Sequence, residues 1–348
     1  MSELRRRQVM GAAAVVAVGA AGGGAPSSAI TRNQEPAMKH SHIPTNGITL
    51  HVVELGEGPP VLFCHGFPDT WRGWRRQMEA VSAAGYRAIS LDMRGYGESS
   101  APDDPLSYTP FHTVGDLVGL LDSLNLASVS IVGHDFGANV AWNAAMMRPD
   151  RFHAVFGLSV PFRLRGEKSF LHVLADAGRT DFYMFNRMRP EADREWTDAR
   201  VIIPSSLYWS SGAPAPKDRR SPFDKDQSIR EAPMPLPDWA DPADVADTVA
   251  DFVRTGFHGG LNYYRSIQLG FDLSAPFKGR RVEQPSFFLF GEADGLNQVT
   301  RPSTTEELRA SLPGLVGQLR LPGVGHWPQR EAAAATNAAL LDFLRQVN

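Results

Sequence analysis

A β-rich run that ends in a tight turn between two glycines, with a helical pattern after it, constrains the fold of this chain most. Residues 128–133 lead into Gly133-His-Asp-Phe-Gly137, and the helical pattern covers residues 138–147. Small residues two before and two after the apex allow the backbones to approach closely around a strained apex residue. An Asx turn or a helix N-cap would also explain this motif if it stood alone. Its position after a buried strand favours a strained turn that presents Asp135 to a pocket.

Short β-rich runs alternate with helical patterns in the first and last parts of the chain. This alternation predicts an α/β fold with a mostly parallel sheet and helices on both of its faces. A linker is expected up to about Pro44. Apolar residues recur at helical spacing between Leu117 and Leu124 and predict a crossover helix. The predicted strands are residues 48–53, 60–64, 87–92, 128–133, 152–160, 285–290 and 318–322.

The alternation stops between residues 161 and 274, where Trp, Tyr, Met, Arg and Pro become frequent. We predict a mainly helical cap domain over residues 161–274, inserted between core segments 30–160 and 275–348. A polar, proline-rich stretch at residues 210–237 predicts a mobile loop within the cap. An aromatic-rich lid over an α/β core predicts a closed, mostly apolar pocket.

The charge of the chain narrows the range of binding partners. Its 348 residues carry a formal net charge of -3, so no basic surplus would attract nucleic acid or an anionic membrane. The expected partner is a small neutral or weakly polar molecule. Cys64 is the only cysteine, which excludes an intramolecular disulfide and a Cys-rich metal site.

The N-terminal residues 1–29 are similar to a twin-arginine export signal. Arg6 and Arg7 precede an apolar run at residues 11–22, and small residues follow at positions 25–29. The run is shorter than the roughly 20 residues that a membrane span needs. The sequence therefore predicts an exported protein, periplasmic or extracellular, with no stable membrane span. A disordered basic tail is the alternative.

Asp135 at the apex indicates a particular kind of chemistry. A carboxylate can displace a leaving group at an sp³ carbon and form an alkyl ester, so an aspartate in this place predicts alkyl transfer. After the strand at residues 60–64 comes His65-Gly-Phe-Pro-Asp69, where Pro68 is a candidate cis proline. The backbone N–H groups of Phe67 and Phe136 are the predicted oxyanion hole.

Two later segments supply the partners of a nucleophile. Asp294 follows the predicted strand 285–290 and is the candidate acid that orients a histidine; Glu292 is the alternative, and an ordinary turn residue is also possible for an aspartate beside a glycine. His326 lies in a glycine-rich loop after the last predicted strand. The order Asp135, Asp294, His326 matches nucleophile, acid and base in a hydrolase triad.

Four segments together resemble the soluble epoxide hydrolases of the α/β-hydrolase superfamily, closest to the plant and bacterial branch. They are His65-Gly-Phe-Pro68, Asp92-Met-Arg-Gly-Tyr-Gly-Glu-Ser99, Gly133-His-Asp-Phe-Gly137 and Gly325-His-Trp327. The resemblance extends from about Ile48 to the C-terminus. It implies an α/β-hydrolase fold and an enzyme that converts an epoxide and water to a vicinal diol through an ester on Asp135, without a metal or organic cofactor.

The resemblance also implies two cap tyrosines that hydrogen-bond the epoxide oxygen. Tyr264 matches the family pattern of Asn, an aromatic residue, Tyr and Arg, and Tyr183 precedes Pro190 by the family's seven residues (190 − 183 = 7). Taken singly, each tyrosine could be an ordinary half-buried aromatic residue. Further residues that the resemblance places at the substrate are His65, Pro68, Trp71 and Trp327.

Two other functions are compatible with the same core residues. A haloalkane or haloacid dehalogenase uses a similar triad, but it commonly has Trp after the nucleophile, where this chain has Phe136. The second alternative is a secreted hydrolase-fold protein without activity that acts as a ligand receptor or surface interaction module, although the complete set of triad residues argues against it.

Overall fold

The computed structural model describes residues 38–224, 229–299 and 301–348. The predicted export signal at residues 1–29 lies outside these ranges. An eight-stranded sheet runs in the order β1-β2-β4-β3-β5-β6-β7-β8; β2 is antiparallel to both of its neighbours and the remaining pairs are parallel. The predicted mostly parallel sheet is therefore confirmed. The strands are Lys39–Thr45, Ile48–Leu55, Pro60–Cys64, Arg87–Leu91, Val129–His134, Phe152–Leu158, Ser286–Gly291 and Leu315–Leu321.

The first strand corrects one prediction. The expected linker up to Pro44 is wrong, because Lys39–Thr45 forms β1 and pairs with β2. The two strands are joined at Asn46 and Gly47, which have φ angles of 46° and 77°. Positive φ at both central residues is typical of the hairpin turn that Asn-Gly favours, so this dipeptide was the available signal.

Helices cover both faces of the sheet because alternate residues of its strands point to opposite sides. Ile131 of β5 packs in one apolar cluster with helices α2 and α3, whereas Val132 packs in a second cluster with α1 and α13. Helix α2 includes residues 117–123 of the predicted crossover helix, and Leu124 is its C-cap. The helices of these parts of the chain are α1 Arg75–Ala83, α2 Pro110–Ser123, α3 Phe136–Met147, α11 Thr305–Arg309, α12 Pro328–Glu331 and α13 Ala333–Val347.

Among the described residues, seven α-helices lie between β6 and β7, the segment in which a cap was predicted. Residues 210–224 and 229–241 form no helix or strand, in agreement with the irregular stretch expected there. In the described ranges, no helix has the length and hydropathy of a membrane span. The seven are α4 Phe170–Asp176, α5 Tyr183–Arg187, α6 Ala192–Glu195, α7 Ala199–Trp209, α8 Pro242–Thr255, α9 His258–Arg265 and α10 Ile267–Leu273.

Three parallel strands bring the candidate catalytic residues to one edge of the sheet. Asp135 directly follows β5, Asp294 follows β7 by three residues, and His326 lies in the loop after β8. Parallel strands end at the same edge, and this edge is where open α/β sheets bind their ligands.

Candidate active site

Asp135 occupies the strained apex between β5 and α3. Its φ and ψ angles are 54° and -119°, a backbone conformation that a non-glycine residue adopts only when its surroundings enforce it. The neighbouring glycines leave no space for side chains: a Cβ on Gly133 would lie 2.1 Å from the Gly137 carbonyl oxygen, and one on Gly137 would lie 2.0 Å from that of Cys64. The turn therefore depends on both glycines.

Asp135, His326 and Asp294 form a connected, buried triad. His326 Nε2 lies 3.5 Å from Asp135 Oδ2, and His326 Nδ1 lies 2.9 Å from Asp294 Oδ2. Asp294 also caps the following turn, where its Oδ1 accepts from the Leu296 N–H at 2.9 Å. The alternative acid, Glu292, is exposed and pairs with Arg320 instead. The structure thus places Asp294, and not Glu292, against the histidine.

The triad carries charge in its resting state. Burial lowers the pKa of His326, but the carboxylates of Asp294 and Asp135 outweigh this effect and raise it to about 10. Burial raises the pKa of Asp135, but the hydrogen bond and charge of His326 outweigh it and lower the value to about 2. At neutral pH the site therefore holds an ionised Asp135 beside a protonated His326.

The backbone of His326 is held by three separate segments of the chain. Its N–H donates to the Ser210 carbonyl at 2.8 Å. Its carbonyl oxygen accepts from the Ser159 hydroxyl at 3.0 Å and from His134 Nε2 at 2.7 Å. A carbonyl only accepts, so His134 must carry its proton on Nε2. Burial and the charge of His326 lower the pKa of His134 to about 4, which keeps it neutral in this role.

One predicted oxyanion donor already contacts the nucleophile. The Phe67 N–H donates to Asp135 Oδ1 at 3.0 Å, and the Phe67–Pro68 peptide bond is cis, as expected. Phe136 begins helix α3, and its ring packs edge-on against Tyr264 with the centroids 4.7 Å apart. The Phe67 ring also packs edge-on against Tyr264, with the centroids 5.4 Å apart, so the side chains of both predicted donor residues contact the helix His258–Arg265.

The two predicted tyrosines lie next to each other in the cavity that contains Asp135. Tyr183 is the first residue of α5, Tyr264 lies in α9, and their ring centroids are 6.2 Å apart at a steep angle. The Tyr264 hydroxyl accepts a hydrogen bond from Arg187 Nη1. Burial raises the pKa of Tyr264 above its usual value, while the positive charge of Arg187 acts in the opposite direction. Burial also raises the pKa of Tyr183 well above its usual value, so both phenols are neutral at physiological pH.

Asp135 and Tyr183 line two cavities of unequal size. The smaller has a volume of about 80 Å³, and it is also lined by His326, Asp294 and Tyr264. The larger, about 540 Å³, extends away from the histidine between α3 and the segment after β6. Its lining is largely apolar and includes Phe136, Val140, Trp142, Phe162, Leu171, Met184 and Phe288. The nucleophile is thus accessible from both sides.

The structure does not support two of the four predicted substrate contacts. His65 and Trp71 line neither cavity. Both ring nitrogens of His65 bond backbone, since Nδ1 contacts the Gly66 carbonyl and Nε2 accepts from the Met93 N–H. Trp71 packs against His40 and Arg72. These two residues stabilise loops beside the site, whereas Pro68 and Trp327 do line the smaller cavity.

Comparison with known proteins identifies the family. A profile described as alpha/beta hydrolase fold matches residues 59–333. An epoxide hydrolase of Caballeronia sordidicola is 58% identical over 313 residues, which cover 89% of this chain and 95% of that protein. The chain belongs to the epoxide hydrolases of the α/β-hydrolase family.

Plant relatives of this epoxide hydrolase are similar over the same part of the chain. Epoxide hydrolase 2 of Siraitia grosvenorii is 37% identical, and the match covers 89% of this chain and 99% of that protein. The crystal structure of an epoxide hydrolase from Vigna radiata superposes with a TM-score of 0.80 at 34% identity, covering 89% of this chain and 98% of that one. Epoxide hydrolase I from potato also has a TM-score of 0.80, at 31% identity, with 89% and 100% coverage.

Two arginines at the active site of the epoxide hydrolase were not predicted from its sequence. Arg187 and Arg220 both line the smaller cavity. Arg187 could have been found, because it lies four residues after Tyr183 and such residues share one face of a helix. Arg220 lies in the irregular stretch after α7, where no periodic pattern indicates which side chains point inward; burial lowers its pKa to about 10.

Proposed function

We propose that this epoxide hydrolase converts an epoxide to a vicinal diol in two half-reactions on Asp135. One observation carries the proposal: an ionised carboxylate on a strained turn shares its cavity with two neutral phenols and has a histidine–aspartate pair behind it. The carboxylate supplies the nucleophile, the phenols supply a proton, and the histidine activates water. Water and the epoxide are the two reactants.

In the first half-reaction, Asp135 Oδ2 attacks one ring carbon and the C–O bond of the epoxide breaks. The Phe67 amide holds Oδ1, so Oδ2 is the oxygen left for attack. Tyr183 and Tyr264 hydrogen-bond the epoxide oxygen, and one of them transfers its proton as the alkoxide forms. Phenols suit this step because they stay neutral until the negative charge develops. The product is a hydroxyalkyl ester of Asp135.

In the second half-reaction, the protonated His326 first gives its proton through solvent to the tyrosinate, which becomes a neutral phenol again, and His326 becomes a neutral base. It then takes a proton from water, and the hydroxide attacks Cγ of the ester. The negative charge on Oδ1 is stabilised by the amides of Phe67 and Phe136. The bond from Cγ to the alkyl oxygen breaks, and the proton of the new carboxylic acid passes to the leaving alkoxide. The diol departs, and Asp135 and His326 regain their resting charges.

The single test of this route is accumulation of the ester in His326→Gln. This variant keeps the nucleophile and the phenols but lacks the base, so ring opening should continue while hydrolysis of the ester slows by two or more orders of magnitude, in the range typical for loss of a general base. Intact-mass spectrometry after mixing with styrene oxide should show the protein heavier by one substrate molecule. The added mass should lie on the peptide that contains Asp135.

Two controls complete this test. Asp135→Asn with His326→Gln should give no added mass. In wild-type enzyme, one turnover in ¹⁸O-water should place the heavy oxygen in the Asp135 carboxylate and none in the diol. Heavy oxygen in the first diol would show direct attack by water and would refute the covalent route.

We also propose that the enzyme is exported by the twin-arginine route. The support is the Arg6-Arg7 pair before a short apolar run, followed by small residues suited to signal cleavage. This route carries folded proteins, and a chain with a single cysteine has no disulfide to form after export.

A further inference from the structure

Arg187 is a cation placed directly on the tyrosine pair. It is the last residue of α5, one helical turn after Tyr183, and its Nη1 donates to the hydroxyl of Tyr264. Its guanidinium also lies over the faces of four rings. The distances from its Cζ to the ring centroids are 4.5 Å for Tyr183, 4.7 Å for Trp196, 5.1 Å for Tyr264 and 5.2 Å for Phe67.

No acidic residue neutralises this guanidinium in the described part of the chain. Neighbouring arginines in the cap are paired with acids: Arg189 with Glu195, and Arg265 with Asp193. Aromatic faces stabilise a cation without cancelling its charge. Arg187 therefore presents a positive charge to a small cavity whose reaction creates a negative one.

The hydrogen bond also determines the direction of the Tyr264 proton. A guanidinium has donors and no acceptor, so the phenol oxygen must accept from Arg187. The phenol's own hydrogen cannot point back to Arg187 and is free to donate into the cavity. Within the described residues, the Tyr183 hydroxyl has no comparable partner. The two phenols are thus inequivalent, and the better oriented one is Tyr264.

We propose that Arg187 is a positioning residue for ring opening: it directs the Tyr264 hydroxyl toward the epoxide oxygen and stabilises the negative charge as that proton is transferred. The proposal rests on the two-step route through Asp135. Within the described residues, Arg187 makes no hydrogen bond or ion pair with Asp135 or His326, so its effect should be confined to the first half-reaction. The influence of Arg187 on the pKa of Tyr264, opposite to that of burial, is consistent with this role.

The experiment measures the two half-reactions separately. Formation of the ester is followed by quenched-flow mass spectrometry in a His326→Gln background, and its hydrolysis is followed in enzyme with the native histidine. The substitutions are Arg187→Met, which keeps bulk without charge, and Arg187→Lys, which keeps the charge and a donor. Arg189→Met is the matched control, because Arg189 lies two residues away and is exposed. Circular dichroism checks that each variant is folded.

We expect Arg187→Met to slow ester formation roughly tenfold to a hundredfold and to leave ester hydrolysis within about twofold of wild type. Arg187→Lys should recover part of the loss, and Arg189→Met should match wild type. In a Tyr264→Phe background, Arg187→Met should have little further effect, since the group that it positions is gone.

Different results would overturn the inference. They are an unchanged rate of ester formation, an equal loss in both half-reactions, additivity with Tyr264→Phe, or an effect confined to the KM of acidic epoxides. Failure of the underlying route looks different, because His326→Gln with native Arg187 would then form no ester at all.

Discussion

The charge on His326 depends on the chemical state of Asp135. Both carboxylates of the triad raise the pKa of this histidine, and Asp135 is one of them. Once Asp135 has become a neutral ester, only Asp294 remains to hold the proton. The pKa of His326 then falls, and the histidine becomes a base only after the nucleophile has reacted. This coupling keeps the order of the two half-reactions.

The same coupling makes the stability of the fold depend on pH. The pKa of His326 rises from 6.5 to about 10 on folding, so its contribution to the free energy of unfolding is complete below about pH 6.5 and is lost as the pH rises toward 10. We expect denaturant titrations of wild type to show this decline and His326→Gln to show a shallower one. An identical slope in His326→Gln would contradict the assigned charge.

The sequence predicts residues in the triad better than residues that only line the cavity. Asp135, Asp294 and His326 each follow a strand in a fixed order, so strand geometry brings them together. His65 and Trp71 lie in the same loop region as Phe67 and Pro68, but which side chains of a loop face the cavity depends on tertiary packing. Arg187 was missed because a cation in a cap is more often a surface residue.

At the scale of elements, the turn between β5 and α3 is the part least tolerant of change. Gly137→Ala would place a Cβ 2.0 Å from the backbone of Cys64, so strand β3 or helix α3 must shift. Overpacking against backbone should cost about 3 kcal/mol of the free energy of unfolding and greatly reduce activity, because Asp135 moves with the turn. Gly166→Ala is the matched control, since its nearest neighbour would be 3.4 Å away. Chemical denaturation measures both, and equal stabilities would contradict this account.

The elements themselves were predicted unevenly for a physical reason. Central strands such as β3 and β5 are buried on both faces, so they appear in the sequence as continuous apolar runs. Strand β1 lies at the sheet edge and is half exposed. Its polar residues leave no continuous apolar run, so it could not be predicted in the same way. The helices α4–α6 are only four to seven residues long, too short for a helical period to show.

At the scale of the whole molecule, export can be tested with the complete chain. Expressed in a bacterium with an active twin-arginine pathway, the protein should be recovered from the periplasm with its N-terminus removed. Replacing Arg6 and Arg7 by Lys should retain full-length, active enzyme in the cytoplasm. Fractionation and N-terminal mass spectrometry distinguish these results. Equal export of the Lys-Lys variant would exclude this route, and a full-length wild type in the cytoplasm would exclude export.

The unequal cavities on the two sides of Asp135 have a consequence for chirality. A space of about 80 Å³ on the histidine side admits only a small substituent, while about 540 Å³ on the other side admits a large one. An epoxide with one bulky group must therefore bind with that group in the larger space and its oxygen at the tyrosines. With the bulky group and the oxygen fixed in this way, the two mirror-image forms cannot place their ring carbons identically relative to the carboxylate. The shape of the site alone therefore leads to unequal rates for the two enantiomers. The enzyme should resolve a racemic substrate kinetically because the enantiomers already differ in how they bind.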